Sequence, residues 1–178
     1  MTVDPAFPML ALLLLAAVFA AAAAAKLRDL EAFRGVVEQY RLLPEPLVAP
    51  FAYALPFVEL LGAFGLLLPA TRAAAALLLV LLLLAFAAAM AINLARGRSD
   101  IDCGCFIGVR RQRIGWALVA RNLFLAGFGL TLLVAATARP LSALDWFTIV
   151  AGAASLILLY EAIGRLFGFA PAAAARAG

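Results

Sequence analysis

Histidine is absent from the 178-residue chain, and that omission removes the commonest general base, the commonest metal ligand and the usual haem ligand together. Proton or metal chemistry is left to Cys, Asp, Glu, Lys, Tyr or the backbone. Charge is scarce as well, at 13% of residues against about 25% in an ordinary soluble domain. Cysteine occurs twice, too few for the disulfide framework of a small secreted fold. No apolar run alternates with polar residues, so an outer-membrane barrel is excluded.

What is abundant is apolar sequence. The chain is 67% hydrophobic with a mean hydropathy of +1.10, well above the roughly one-half apolar share of a soluble domain. Several runs reach the ~20 residues needed to cross a bilayer as a helix, and lipid cannot satisfy an open backbone. The expected fold class is therefore all-α, a polytopic membrane helical bundle. Spans are expected at about 7–25, 51–69, 73–95, 116–138 and 146–167, within one domain over 1–170 and with a disordered alanine tail at 171–178. A cleaved signal peptide is the competing reading of the first run, but Lys and Arg are missing before it and its apolar stretch is too long.

Between the first two spans the pattern changes to mixed charge. Leu27, Leu30, Phe33, Val37 and Tyr40 recur at helical spacing, predicting an amphipathic helix along the membrane surface or an extension of the first span. Pro44, Pro46 and Pro50 should end it.

The net charge of +4 comes from arginines in short connections, which orient a membrane protein, so a nucleic-acid partner is not expected and lipid is. Basic residues crowd the first and third connections and the C-terminus. The positive-inside rule then puts the N-terminus outside and the third connection on the cytoplasmic face of a bacterial inner membrane.

That third connection, Arg96–Arg113, holds both cysteines, Cys103 and Cys105, with Asp100 and Asp102 before them and five arginines around them. Two residues of chain span at most ~7 Å, and a disulfide wants ~4.4–6.8 Å between α-carbons, so the pair can bridge if Gly104 allows the bend. So small a ring removes little chain entropy, which argues against a purely structural bridge. Arg110, Arg111 and Arg113 favour thiolate, whereas Asp100 and Asp102 oppose it. Thiol–disulfide exchange is the leading reading. Soft-metal binding by Cys103, Cys105 and Asp102 is a rival, short of the usual three or four strong ligands. Two ordinary loop cysteines are another.

Polar residues inside spans point to function by default. Glu59, Asn93, Arg121 and Glu161 all fall toward the membrane face that carries the cysteines, and Asn122 follows Arg121 in the fourth span. Glu59 is expected to pair with Arg121, and Lys26 is a second candidate partner.

The stretch Asn93-Leu-Ala-Arg-Gly-Arg-Ser-Asp-Ile-Asp-Cys-Gly-Cys-Phe-Ile-Gly108 resembles the hallmark loop of the MauE family of methylamine-utilisation membrane proteins, themselves similar to DoxX-like proteins. Lys26, the Tyr40-x-x-Leu-Pro44 segment and Pro56-x-x-Glu59 also look like that pattern. The resemblance implies a four-helix DoxX-like core plus one further span. It also implies a periplasmic thioredoxin-like redox partner, and a role in disulfide formation or maturation of methylamine dehydrogenase. By carry-over Cys103 and Cys105 are the redox pair of a thiol–disulfide oxidoreductase. Glu59 and Arg121 would organise the intramembrane site, with Lys26, Asn93 and Asn122 around it. A periplasmic partner conflicts with the cytoplasmic placement from charge. A quinone is the cofactor of other four-helix disulfide-forming membrane proteins, although no sequence feature marks a quinone pocket. Oligomeric state is open.

Overall fold

The computed structural model describes residues 3–104, 113–134 and 139–168, and for residues 160, 161 and 163–168 only the backbone. Six helices follow in order: α1 (Ala6–Arg28), α2 (Leu30–Tyr40), α3 (Glu45–Leu67), α4 (Arg72–Ala95), α5 (Trp116–Leu130, continued by a 3₁₀ turn Thr131–Leu133) and α6 (Ala143–Gly168). No strand occurs among the described residues, and the fold is the all-α helical bundle that the apolar runs predict. Four elements, α1, α3, α4 and α5 with its 3₁₀ turn, are long and apolar enough to cross a membrane.

Helix packing gives a closed ring: α1 lies on α3, α3 on α4, α4 on α5, and α5 returns to α1, while α6 packs on the outside of α1. The centre is filled by Leu14, Leu15, Leu66, Leu79, Leu83 and Leu125. Close approach is built in by small residues. A Cβ on Gly129 would fall 2.9 Å from Val80 and 3.2 Å from Leu15, so only glycine lets α5 settle there. Much of the outer surface is apolar too. Leu61, Phe64, Phe124 and Phe147 are all more than half exposed, which suits a lipid-facing belt and would be a liability in water.

The chain breaks after α1 at Asp29, whose non-helical backbone (φ −149°, ψ 79°) stops the helix and whose side chain accepts a hydrogen bond from Ala32 N at 2.9 Å to start α2. Helix α2 is thus a separate element, not an extension of the first span. Its apolar side, Phe33, Val36 and Val37, faces α3 and α4. It ends at Arg41 in a left-handed conformation, before the prolines are reached.

The prolines serve the next helix instead. Helix α3 begins at Glu45, ahead of the start at 51 expected from hydropathy, because Pro46 lies in its first turn, where the missing N–H would have no partner anyway. Glu59 therefore lies about 20 Å along α3 from its first residue.

All of α2, the ends of α1 and α4 and the starts of α3 and α5 gather at one end of the bundle, with the cysteine connection among them. At the other end Arg139 donates to Asp4 at 2.8 Å and to Asp145 at 2.8 Å, joining the N-terminus to the start of α6.

Candidate functional site: a buried ion pair beside the cysteine loop

Lys26 stands in the last turn of α1 and Glu59 in α3, and because these helices pack directly their side chains meet. Lys26 Nζ donates to both carboxylate oxygens at 2.8 Å. The two side chains are 4% and 1% exposed, so neither reaches solvent or headgroups. Arg121, the partner first expected from sequence, does not pair with Glu59. It is half-buried on α5, which stands diagonally across the ring from α3, with α1 and α4 between them.

Two aromatic rings complete the enclosure of the ammonium. Phe33 of α2 lies 5.4 Å and Phe86 of α4 6.0 Å from Nζ, within the range of cation–π attraction. An ammonium has three N–H donors. The carboxylate takes two, and no acceptor among the described residues takes the third.

Beside this group lies an apolar cavity of about 250 Å³. Lys26, Phe33, Tyr40, Phe86, Met90 and Cys103 form much of its wall. Lys26 and Cys103 are thus brought to one space from α1 and the third connection, with Glu59 holding Lys26 from behind.

The cysteine connection is held at several points. Helix α4 stops at Gly97, whose φ of +73° is natural only for glycine, and Arg98 N returns to Asn93 O at 2.9 Å. The Arg98 side chain then donates to Asn93 Oδ1 at 2.8 Å and to the Gln39 carbonyl at 2.7 Å, tying the end of α4 to the end of α2. Further on, Ile114 N donates to Ile101 O at 2.9 Å, closing an antiparallel backbone bridge between Asp102 and Arg113, and the Arg113 side chain pairs with Asp100 at 2.9 Å. The two strands of chain that enter and leave the loop are therefore clasped. Ile101 and Ile114 bury themselves against Ala87, Met90 and Leu118.

Cys103, half-buried, packs on that cluster. Gly104 follows with φ +71°, its N–H bonded to Asp102 Oδ1 at 3.0 Å. A Cβ here would fall 3.1 Å from Val36 and 3.2 Å from Phe33, so the chain passes tight under α2. The glycine between the cysteines is needed for both backbone shape and space.

Of the remaining candidates, Asn93 is fully buried and spans the Ala89 carbonyl at 3.1 Å and Arg98. Asn122 is buried on α5 and donates to Leu118 O at 2.8 Å, a bond within its own helix. Cys105, Arg110 and Arg111 lie outside the described residues, and so does the side chain of Glu161. Among the described residues no three Cys, Asp or Glu side chains come together to hold a metal.

Arg98, Phe33 and Phe86 join the site although none was singled out as a site residue in the sequence. Phe33 was legible as an apolar position of α2; nothing distinguishes Arg98 from its neighbours Arg96 and Arg113 until the fold brings it to α2. On the outer side of α2 the Tyr53 hydroxyl donates to Glu31 and, with Arg34, holds its carboxyl below the usual range.

Residues 4–137 match the family described as methylamine utilisation protein MauE. Methylamine utilization protein MauE of Methylophilus methylotrophus is 45% identical over 173 residues, 93% of this chain and 88% of its own. Its counterpart in Methylorubrum extorquens is 48% identical over 147 residues, covering 80% and 78% of the two chains. That of Paracoccus versutus is 44% identical over 155 residues, covering 86% and 83%. No solved structure matches. With the Lys26–Glu59 pair, the cavity and the cysteine loop all inside the matched segment, this multi-pass membrane protein belongs to the MauE family.

Proposed function

We propose that the protein is a membrane thiol–disulfide relay serving methylamine utilisation, with Cys103 and Cys105 as its redox pair and a thioredoxin-like protein as its partner. In the direction that forms disulfides, a thiolate of the reduced partner attacks the Cys103–Cys105 disulfide, giving a mixed disulfide and one loop thiol. The partner's second thiolate resolves it, so that the partner leaves oxidised and the loop is left as a dithiol. Maturation of the disulfide-rich small subunit of methylamine dehydrogenase is the downstream use.

One observation carries the reading: Cys103 is held in the wall of an apolar cavity together with a fully buried lysine, at the end of a clasped loop. A cysteine with no chemical task does not need Gly104 in a left-handed conformation beside it, an Arg98 anchor and a two-point clasp. The relatives, named for methylamine utilization, supply the pathway.

Orientation follows from charge. Lys26, Arg34, Arg98 and Arg113 are engaged in ion pairs or hydrogen bonds, yet Arg28, Arg41 and Arg96 remain at the loop end, whereas at the other end Arg72 donates to the Leu66 carbonyl and Arg139 is held by Asp4 and Asp145. On the positive-inside rule the loop end then faces the cytoplasm of the inner membrane and the N-terminus lies outside. A periplasmic partner would require electrons to pass along the bundle, so a membrane-impermeant maleimide applied to intact cells reports on the side independently of the chemistry.

The test of the relay uses Cys103→Ser and Cys105→Ser in a methylamine-utilising bacterium. One variant should accumulate a mixed disulfide with a thioredoxin-like protein on non-reducing gels, and both should lose growth on methylamine. Wild-type growth of both variants with no trapped partner refutes the relay.

A further inference from the structure

The cavity between Lys26 and Cys103 has two features that the exchange reaction does not use. It is walled almost wholly by apolar side chains, and Lys26 presents a buried ammonium with one N–H beyond the two that Glu59 takes. Resting on the relay reading above, we propose that this cavity seats the ring of a lipid-soluble quinone, which drains the electrons from the cysteine pair.

The chemistry of the walls selects this occupant. A quinone ring is flat and apolar across its faces, matching Phe33, Phe86 and Met90, and carries carbonyl oxygens at its edge that accept a hydrogen bond. Lys26, buried and in the cavity wall, supplies the unused donor, and an acceptor beside a buried donor is worth most. A phospholipid chain has no acceptor to place there. Pockets for whole drug-sized ligands start near ~300 Å³, so about 250 Å³ holds one substituted ring and not a prenyl tail. The tail has an exit: Phe51, in the cavity wall, is also exposed on the outer surface of α3, in a bundle whose outer surface is apolar.

Cys103 lines the same space, so the reaction balances there. Cys103 and Cys105 lose two electrons and two protons as one S–S bond forms. The quinone gains both electrons and both protons and leaves as the quinol. The loop disulfide is regenerated for the next partner. The buried ammonium favours negative charge developing on the quinone oxygen during transfer, and Glu59 holds the ammonium in place.

The experiment uses the full chain in lipid nanodiscs, reduced, titrated with a ubiquinone carrying a decyl tail. Quinone bound per protein, quinol formed and thiols remaining are measured together. Saturable uptake of one quinone per chain is expected, with two thiols lost per quinol. Ala89→Phe, which sets a ring into the cavity, should weaken uptake at least about tenfold. The paired change Lys26→Met with Glu59→Leu removes the donor without stranding a charge, and should weaken uptake about ten- to a hundredfold.

No saturable uptake by a protein whose thiols still exchange with a soluble disulfide overturns the quinone site and leaves the relay standing. Uptake undiminished in Ala89→Phe overturns it too, by placing the quinone elsewhere. A co-purified phospholipid that fills the cavity and that the quinone never displaces does the same. Saturable uptake with no loss of thiols overturns the electron step and leaves the relay to the cysteine variants.

Discussion

Removing the Lys26 ammonium while leaving Glu59 strands a carboxylate that has both oxygens bonded at 2.8 Å and no route to solvent. Breaking a buried pair from one side costs ~3–5 kcal/mol, because the surviving group loses its partner and keeps its desolvation. Lys26→Met should therefore destabilise the bundle by about 4 kcal/mol, with loss of the Phe33 and Phe86 contacts included in that range. Glu59→Leu should cost a similar amount by stranding the ammonium. The double change leaves no charge behind and fills the volume with apolar atoms, a replacement that is often neutral or favourable. It should lie within ~2 kcal/mol of the parent, far from the ~8 kcal/mol that two independent losses would give. Unfolding of the four proteins in one lipid or detergent system completes the cycle. Singles that cost less than ~1 kcal/mol, or a double that costs the sum of its singles, would refute the argument that this is one desolvated, mutually dependent pair.

Three further outcomes follow from the geometry. Gly104→Ala forces a Cβ into a left-handed residue and against Val36 and Phe33, so it should cost about 1–3 kcal/mol and shift α2, read as faster amide exchange over residues 30–40. Arg98→Ala removes the charged donor from Asn93 Oδ1 and the Gln39 carbonyl, so it should cost about 1.5–3 kcal/mol and loosen α2 without disturbing the Arg139 end. At that other end the Arg139 guanidinium holds the carboxyls of Asp4 and Asp145 below their ordinary value of 3.8. A carboxyl depressed by folding contributes its stability in full above the unfolded pKa and loses it as pH falls through the folded one. Docking of the N-terminus on α6 should thus be unchanged from pH 7 to about 4 and weaken only below that, as followed by proteolysis or amide exchange; weakening between pH 7 and 5 would contradict it.

The architecture was largely readable because long apolar runs have one structural solution in lipid, and the runs around Leu14, Leu79 and Leu125 became the ring of helices they predict. The start of α3 was hidden because proline reads as punctuation in a sequence, whereas Pro46 sits in a first turn that tolerates it. Glu59 stood out as a carboxylate too short to escape a span. Its partner did not, because choosing Lys26 over Arg121 depends on which helices are neighbours. Spans made alike of Leu and Ala do not encode that order. Cys103 was evident as one of two cysteines, but its cavity is assembled from α1, α2, α3, α4 and the loop, and no local pattern announces a space left between elements. Arg98 was one arginine of several until the Gly97 turn aimed it at α2.

The central claim, that Cys103 and Cys105 act together as one redox couple, is tested most directly by titrating the full-length protein in lipid against a series of glutathione redox buffers. Thiols are counted by alkylation and mass spectrometry at each point. A single two-electron transition is expected, in which both thiols disappear together, giving one intramolecular disulfide per chain. Two thiols that stay reduced across the whole range, or that are capped independently by glutathione without ever joining, would contradict it.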